Sequence, residues 1–409
     1  MKKPQASPTL LLLLLAVAMF LTLLSVLMMA PLLVALASEF DTSVAVVGQL
    51  AGATAITWGI TAFLIGPISD TYGRRPVLLT GVMLMGVGIL GSVLAWNYGS
   101  LLGFRLLTGV AAAMIPATAI AAVADIFPPE GRGKAIGWMM SATGISATIG
   151  IAMVAFLLDV GGWRLPFYVI GGIVLVLWAL LWVWFPQSQR QPGQSLSFFS
   201  HYREVGANAT VWYVLAANAL LQMAFLGVFS YLAANLIQTY GMTAGETVLP
   251  LALAGIGVIA GGFIGGRIAD SRRRLNFLTI AALLGGLLAT FVFVGPVSPW
   301  LTVTFAFGVA ASLRITASVT PTLLLELAGS SRSTATGMFA VSNQIGVFGG
   351  ASIGGAMLAM GGFPMVGFFC LGAAVVGGAL ILLKVRDPAE FLERIALREA
   401  SNDPAKTTT

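Results

Sequence analysis

Arg314 is the residue whose position asks the sharpest chemical question. It stands 13 residues past Leu301 in an apolar run over 300–326, so its guanidinium would lie near the centre of a bilayer. A charge at that depth costs about 2.5–3.5 kcal/mol on insertion scales. Arginine keeps its proton under physiological conditions, so it needs water, carbonyls or an anion around it. Asn218, Gln222 and Tyr231 in the run over 211–236 offer polar groups, as do Asn343 and Gln344 in the run over 334–360. None of them supplies a countercharge. The 15 Asp and Glu residues all fall near the ends of apolar runs or outside them. A carboxylate or phosphate on a bound solute would satisfy the guanidinium with paired hydrogen bonds. An Arg held by carbonyls and water between helices is the alternative. The substrate-binding candidates are Arg314, Asn218, Gln222, Tyr231, Asn343, Gln344 and Met29.

Other reactive chemistry is sparse. Cys370 is the single cysteine and His201 the single histidine, so a disulfide framework and a Cys- or His-cluster metal site are excluded. There is no Walker-type G-x-x-x-x-G-K-[ST], and the glycines lie inside apolar runs, which argues against a nucleotide-driven pump. No His/Asp/Ser constellation is present, so an integral membrane enzyme lacks its machinery. No cofactor, metal or catalytic residue is expected.

The elements that carry these residues follow from composition. Of 409 residues, 58% are hydrophobic and 9% charged, with a mean hydropathy of +0.95. A soluble domain has roughly 45–50% apolar and about 25% charged residues. This chain has too little polar surface to cover a globule in water. That excludes a soluble enzyme and a disordered chain. The net charge of +6 is scattered between apolar runs, which excludes a nucleic-acid-binding module.

Twelve runs are long enough to span a bilayer. They lie near 10–36, 46–68, 76–95, 99–124, 134–158, 166–185, 211–236, 246–266, 276–295, 300–326, 334–360 and 364–384. The first follows Lys2 and Lys3 and contains Ala35-Leu36-Ala37, which imitates a cleavage site. Its 27 residues exceed the apolar core of a signal peptide, about 7–15 residues, so it reads as a retained helix. The expected fold is an all-α integral membrane protein, its twelve helices forming two pseudo-symmetric six-helix bundles. The bundles occupy 1–185 and 209–386, joined by a polar linker over 186–208 and followed by a tail over 387–409.

On this topology 18 of the 21 cations fall on one face, the exceptions being Arg105, Arg164 and Arg314. Loops rich in Lys and Arg stay cytoplasmic. Both termini and the linker are therefore expected in the cytoplasm, with the chain crossing the inner (plasma) membrane.

The halves repeat. Gly66 and Asp70 recur as Gly266 and Asp270, and Arg132 and Gly137 as Arg332 and Gly337, all at an offset of 200. Gly109-Val110-Ala111-Ala112 recurs as Gly308-Val309-Ala310-Ala311 at 199. Repeats at half the chain length are common in secondary transporters, whose solute site lies between the repeats near the midplane. The spacing of Gly257, Gly261 and Gly265, and of Gly350 and Gly354, suits close helix packing.

The segment Gly66-Pro67-Ile68-Ser69-Asp70-Thr71-Tyr72-Gly73-Arg74-Arg75 resembles the signature loop of the major facilitator superfamily, G-x-x-x-D-[RK]-x-G-R-[RK]. Arg105 to Gly109 looks like the R-x-x-x-G of that family's fourth helix. Gly162-Trp163-Arg164-Leu165-Pro166-Phe167 is similar to the G-W-R-x-x-F of its twelve-span drug:proton antiporter branch. The chain departs from the pattern at Thr71 and Arg273, and its fifth span lacks the G-P-x-x-G-G of antiporters.

The resemblance implies a proton-coupled efflux transporter working by alternating access. It also implies a conformational latch built from Gly66, Asp70, Gly73, Arg74, Arg75, Asp125 and the second-half Asp270. In the residues' own terms, Gly66 permits close helix approach and Gly73 a tight turn. Asp70 suits a helix amino terminus, and Asp125 can pair with Arg74. Arg105, Asp70 and Asp125 are candidates for coupling. The expected partners are a small organic solute, amphipathic or anionic, H⁺ and the bilayer, with the chain acting as a monomer. The alternative on the same fold is a flippase for lysolipid or lipid, its cavity lined by Met28, Met29, Trp58 and Phe225 with Arg314 for a phosphate.

Overall fold

The computed structural model describes residues 7–186, 208–269, 271–295, 298–327 and 332–385. The linker core, Asp270 and the tail lie outside the described residues. Every regular element among the described residues is a helix. Numbered in chain order, they are α1 (Pro8–Leu27), α2 (Met29–Glu39), α3 (Val44–Tyr72), α4 (Arg74–Val93), α5 (Tyr98–Ile126), α6 (Pro129–Ile145), α7 (Ile151–Gly161) and α8 (Arg164–Trp184). After the linker come α9 (Ala209–Tyr240), α10 (Val248–Ala269), α11 (Arg274–Phe293), α12 (Pro299–Arg314), α13 (Thr316–Leu327), α14 (Arg332–Phe348) and α15 (Gly354–Lys384). Two π-helical turns, Ser146–Gly150 and Gly349–Ile353, continue α6 into α7 and α14 into α15.

Local chemistry sets the boundaries. A buried backbone in lipid must bond to itself, so apolar runs become helices. Ser7, Ser43, Asn97 and Ser298 cap α1, α3, α5 and α12 through their side chains, satisfying first-turn amides. Gly241 ends α9 at φ 69°, in the left-handed region, where glycine has no Cβ penalty.

The twelve expected runs all recur, several of them broken. The first is two helices that meet at Met28, and the tenth two that meet at Ile315. The last stretch of helix, Gly337–Lys384, has 48 residues. At 1.5 Å per residue that is about 72 Å, more than twice a hydrocarbon core of about 30 Å. Gly361 and Gly362 leave helical geometry inside it, Gly362 at φ 71° and ψ −167°. Only glycine adopts that conformation readily, and it turns the chain back into the membrane. The same turn occurs 200 residues earlier, where Gly162 has φ 72° and ψ −179°. Among the described residues the count is therefore twelve spans.

The helices pack as two groups. In the first, α4 lies against α5 and α8, α3 against α5, and α1 against α6. In the second, α11 and α9 lie against α15, α10 against α12, and α9 against α14. The groups meet through α2 on α9, α3 on α14 and the second π-turn, and α7 and the first π-turn on α10. The helices α6 and α13 make no comparable packing across the groups among the described residues. Both belong to the half of the molecule beside the basic loops. The groups therefore close on the far face and part toward the basic face.

Candidate functional site

At the basic face, α3 ends on Gly73, whose φ of 91° lets α4 begin at once with Arg74. Arg74 Nε lies 3.4 Å from Asp125 Oδ2 at the end of α5, and its Nη1 donates to Ser69 Oγ at 3.2 Å. Arg75 donates to the carbonyl of Trp182 at the end of α8. These bonds tie α3, α4, α5 and α8 together, and they join the expected partners Arg74 and Asp125. Asp70 falls in the last turn of α3, not the first turn of a helix. Gly66 lies one turn earlier in α3. The side chain of Asp70 lies outside the described residues, as does Asp270.

The second half repeats the pair in a form the sequence reading missed. Arg274 opens α11, and its Nη1 and Nη2 donate to Glu326 Oε1 and Oε2 at 2.9 and 2.5 Å. The offset from Arg74 is 200, and from Asp125 to Glu326 it is 201. Applying the repeat spacing to Arg74 would have found it. The two pairs differ in burial. The side chains are 22% and 56% exposed for Arg74 and Asp125, but 6% and 40% for Arg274 and Glu326.

Arg105 lies within the first group, away from the gap between the groups. It is fully buried. Its Nη2 donates to Ser92 Oγ at 2.7 Å and to the Gly88 carbonyl at 3.2 Å, and its Nη1 to the Ser25 carbonyl at 3.4 Å. The ring of Phe167 faces the guanidinium at 5.3 Å. These contacts staple α1, α4, α5 and α8, which is a packing arrangement.

Arg314 is held differently. It is the last residue of α12, where the tenth span breaks at Ile315, and it is half-buried. Its guanidinium lies over the ring of Phe225 on α9, 5.1 Å from the centroid. No ion pair joins it to a carboxylate among the described residues. Phe225 stacks in turn on Phe229, centroids 4.6 Å apart. Asn218, Gln222, Phe225 and Phe229 recur at helical spacing along one face of α9. At its basic-side end, Asn218 Nδ2 donates to Asn343 Oδ1 at 2.9 Å and to Ser342 Oγ at 3.0 Å on α14. Gln222 packs near Gly346, and Gln344 near Gly59 of α3. The structure thus brings Asn218, Gln222, Asn343 and Gln344 together on spans seven and eleven, with Arg314 facing Phe225, one turn beyond Gln222 on α9.

Two expected substrate residues take other places. Tyr231 is fully buried, and its hydroxyl donates to the Ala351 carbonyl in the second π-turn. Gly48 and Gly355 leave just enough room for that hydroxyl, so Tyr231 belongs to the far-face closure. Met29 is 2% exposed and borders a small apolar cavity with Val26, Leu33, Phe229 and Val347, on the closed side of the Arg314 level. Met28 is fully buried and Phe225 is 7% exposed. Neither lines an open chamber, contrary to the expectation for a lipid-handling cavity.

The model of the Major Facilitator Superfamily matches residues 15–330. The 3-(3-hydroxy-phenyl)propionate transporter of Escherichia coli (strain K12) is 27% identical over 73% of this chain and 74% of its own length. A probable sugar efflux transporter of Helicobacter pylori (strain P12) is 24% identical over 85% of this chain and 86% of its own. Among solved structures, a bacterial homolog of the human lysosomal transporter Spinster, in an inward-facing and occupied conformation, superposes with a TM-score of 0.77. It is 18% identical and is matched over 94% of this chain and 98% of that one.

Proposed function

The chain belongs to the major facilitator superfamily and is a transporter of small solutes, and from this premise we propose that it moves a small organic anion by proton-coupled efflux. One observation carries the choice of anion: Arg314 lies in mid-span against an aromatic ring, with no carboxylate partner among the described residues. A cationic substrate would meet repulsion there. An anion would find a charge-assisted, bidentate donor, beside the neutral amides of Asn218, Gln222, Asn343 and Gln344. Efflux and H⁺ coupling rest on the resemblance to the antiporter branch and on relatives named for export. In this reading the basic face is cytoplasmic by the positive-inside rule. The protein sits in the inner membrane as a monomer, in a state open to the cytoplasm. The halves are residues 1–185 and 209–386, rocking about the site between them.

Binding of a probe panel to the purified protein tests the reading. An aryl carboxylate and a hexuronate represent anions, and a lipophilic quaternary ammonium and a lysophospholipid represent the competing classes. At least one carboxylate is expected to bind. Arg314→Lys then weakens it about tenfold and Arg314→Gln roughly 10- to 100-fold, as losing a hydrogen bond to a charged group implies. Wild-type affinity in a folded Arg314→Gln protein overturns the site. Selective binding of the ammonium probe overturns the anion assignment. Binding of the lysophospholipid alone moves the protein to the flippase reading.

A further inference from the structure

The two π-helical turns occupy matching places. Ser146–Gly150 interrupts the fifth span and Gly349–Ile353 the eleventh. Their start points are 203 residues apart, close to the repeat offset of 200. Each lies where one half of the molecule meets the other. The first packs on α10, where a Cβ added to Gly255 would come within 2.9 Å of Thr148 Cα. The second packs on α3, where Gly52 faces Ser352 and Phe348. A π-turn holds one more residue than an α-turn and widens the helix locally, and such turns concentrate at functional sites.

The second turn is also gripped by two side chains. Gln49 on α3 donates from Nε2 to the Ser352 carbonyl at 3.1 Å, crossing from the first half to the second. Tyr231 on α9 donates to the Ala351 carbonyl one residue earlier. Its hydroxyl fills a slot between Gly48 of α3 and Gly355 of α15, so span seven touches spans two and eleven there. Each turn carries a deeply buried serine hydroxyl without a hydrogen-bond partner, Ser146 Oγ and Ser352 Oγ. An unpaired buried hydroxyl is unfavourable, so each closed turn contains a group that a rearrangement can satisfy.

We propose that the paired π-turns are the release points of the far-face gate, with Gln49 and Tyr231 as the residues that hold it shut. While the second turn stays π-helical, its carbonyls at 351 and 352 meet the Tyr231 hydroxyl and the Gln49 amide, and α3 remains docked. When the halves rock, the Gln49 bond breaks, because it joins the two halves; the Tyr231 bond lies within the second half and holds the turn π-helical until the turn relaxes toward α-helical geometry. That relaxation re-aims Ser352 and withdraws the two acceptors. The first turn makes the matching contact on α10 through backbone and small residues, so the two sides open together. The proposal concerns gating and does not depend on which solute is carried.

Electron-spin distance measurements between the halves test it in the full-length protein. In a Cys370→Ser background, spin labels at Trp96→Cys and Trp300→Cys mark the far-face loop before α5 and the far-face end of α12, both at exposed positions. In the reference protein the short-distance, closed population dominates. Gln49→Leu keeps the side-chain bulk and removes the donor. Tyr231→Phe removes a single oxygen atom. Each is expected to raise the ratio of long-distance to short-distance populations by about three- to tenfold, the factor expected for one neutral hydrogen bond, and the double variant by roughly the product. Retention of a monodisperse peak and of a cooperative melt shows that each variant folds. If Gln49→Leu folds poorly, Tyr231→Phe decides alone, because it leaves the packing shape unchanged. An unchanged distance distribution in either folded variant overturns the proposal, as does a shift toward the short distance.

Discussion

Three arginines within or beside the spans show how far burial and partners decide a role that residue type leaves open. Arg105 and Arg314 both read from the sequence as charges inside apolar runs. In the structure Arg105 is enclosed by carbonyls and a serine hydroxyl, whereas Arg314 is half-buried and faces an aromatic ring. Nothing in the immediate sequence separates the two, because Arg105's acceptors come from other helices, α1 and α4. Arg274 was legible by spacing alone, since its offset from Arg74 equals the repeat. The departure at Arg273 obscured it. The paired clusters give a quantitative expectation. Asp125→Asn breaks a pair whose carboxylate is 56% exposed, and exposed pairs contribute about 0–1 kcal/mol. Glu326→Gln breaks a bidentate pair to a guanidinium only 6% exposed, where losing a charged hydrogen-bond partner costs about 1–3 kcal/mol. Thermal melting in detergent is expected to show the larger drop for Glu326→Gln. Equal drops would mean that the second pair is no more structural than the first.

At the scale of elements, the length of the apolar runs located all twelve spans but not their interruptions. A run of leucine, alanine and glycine has the same hydropathy whether it is straight, broken at Met28 and Ile315, or widened into a π-turn. The boundary between the last two spans was legible, because Gly361-Gly362 and Pro364 punctuate the run, and the geometry at Gly362 needs glycine. The glycines of α10 were legible as packing residues, and the structure supplies the reason. A Cβ at Gly257 would come within 2.4 Å of the Phe307 carbonyl oxygen, and one at Gly261 within 2.4 Å of that of Ala311. Both obstacles are backbone on α12, which cannot swing aside as a side chain does. Gly261→Ala therefore forces α10 away from α12 at a cost of about 1–3 kcal/mol, typical of overpacking. Gly262, with no atom near its added Cβ, is the internal control. Gly262→Ala is expected to leave the melting temperature unchanged or slightly higher, as an alanine in a helix favours it. A Gly261→Ala protein as stable as Gly262→Ala would show that the α10–α12 contact is looser than described.

For the whole molecule, the placement of charge limits how transport can be driven. The described acids with visible partners all lie at span ends. Glu39 pairs with Arg164 at 3.0 Å, Asp159 accepts from the Gly245 amide at 3.0 Å, and Asp125 and Glu326 hold Arg74 and Arg274. None of these is beside Arg314, so a proton that drives the cycle either uses an end group or crosses with the solute. These routes differ in the charge they move. If one H⁺ enters while a monovalent anion leaves, two positive charges move inward per cycle. Each is worth about 2.3 kcal/mol per 100 mV, so the exchange responds to about 4.6 kcal/mol per 100 mV. If the proton and the anion cross together, the cycle moves no net charge and answers to the pH gradient alone. Proteoliposomes with an imposed potassium diffusion potential separate the two. For antiport, solute accumulation rises steeply with a potential negative on the basic face, and a protonophore abolishes the pH-driven part. For co-transport, the potential has no effect and the pH gradient is sufficient. Accumulation that ignores both but requires Na⁺ would transfer the coupling to another ion. The proposed role of Arg314 as the solute's countercharge is independent of this outcome, since its mid-span position does not depend on what drives the halves.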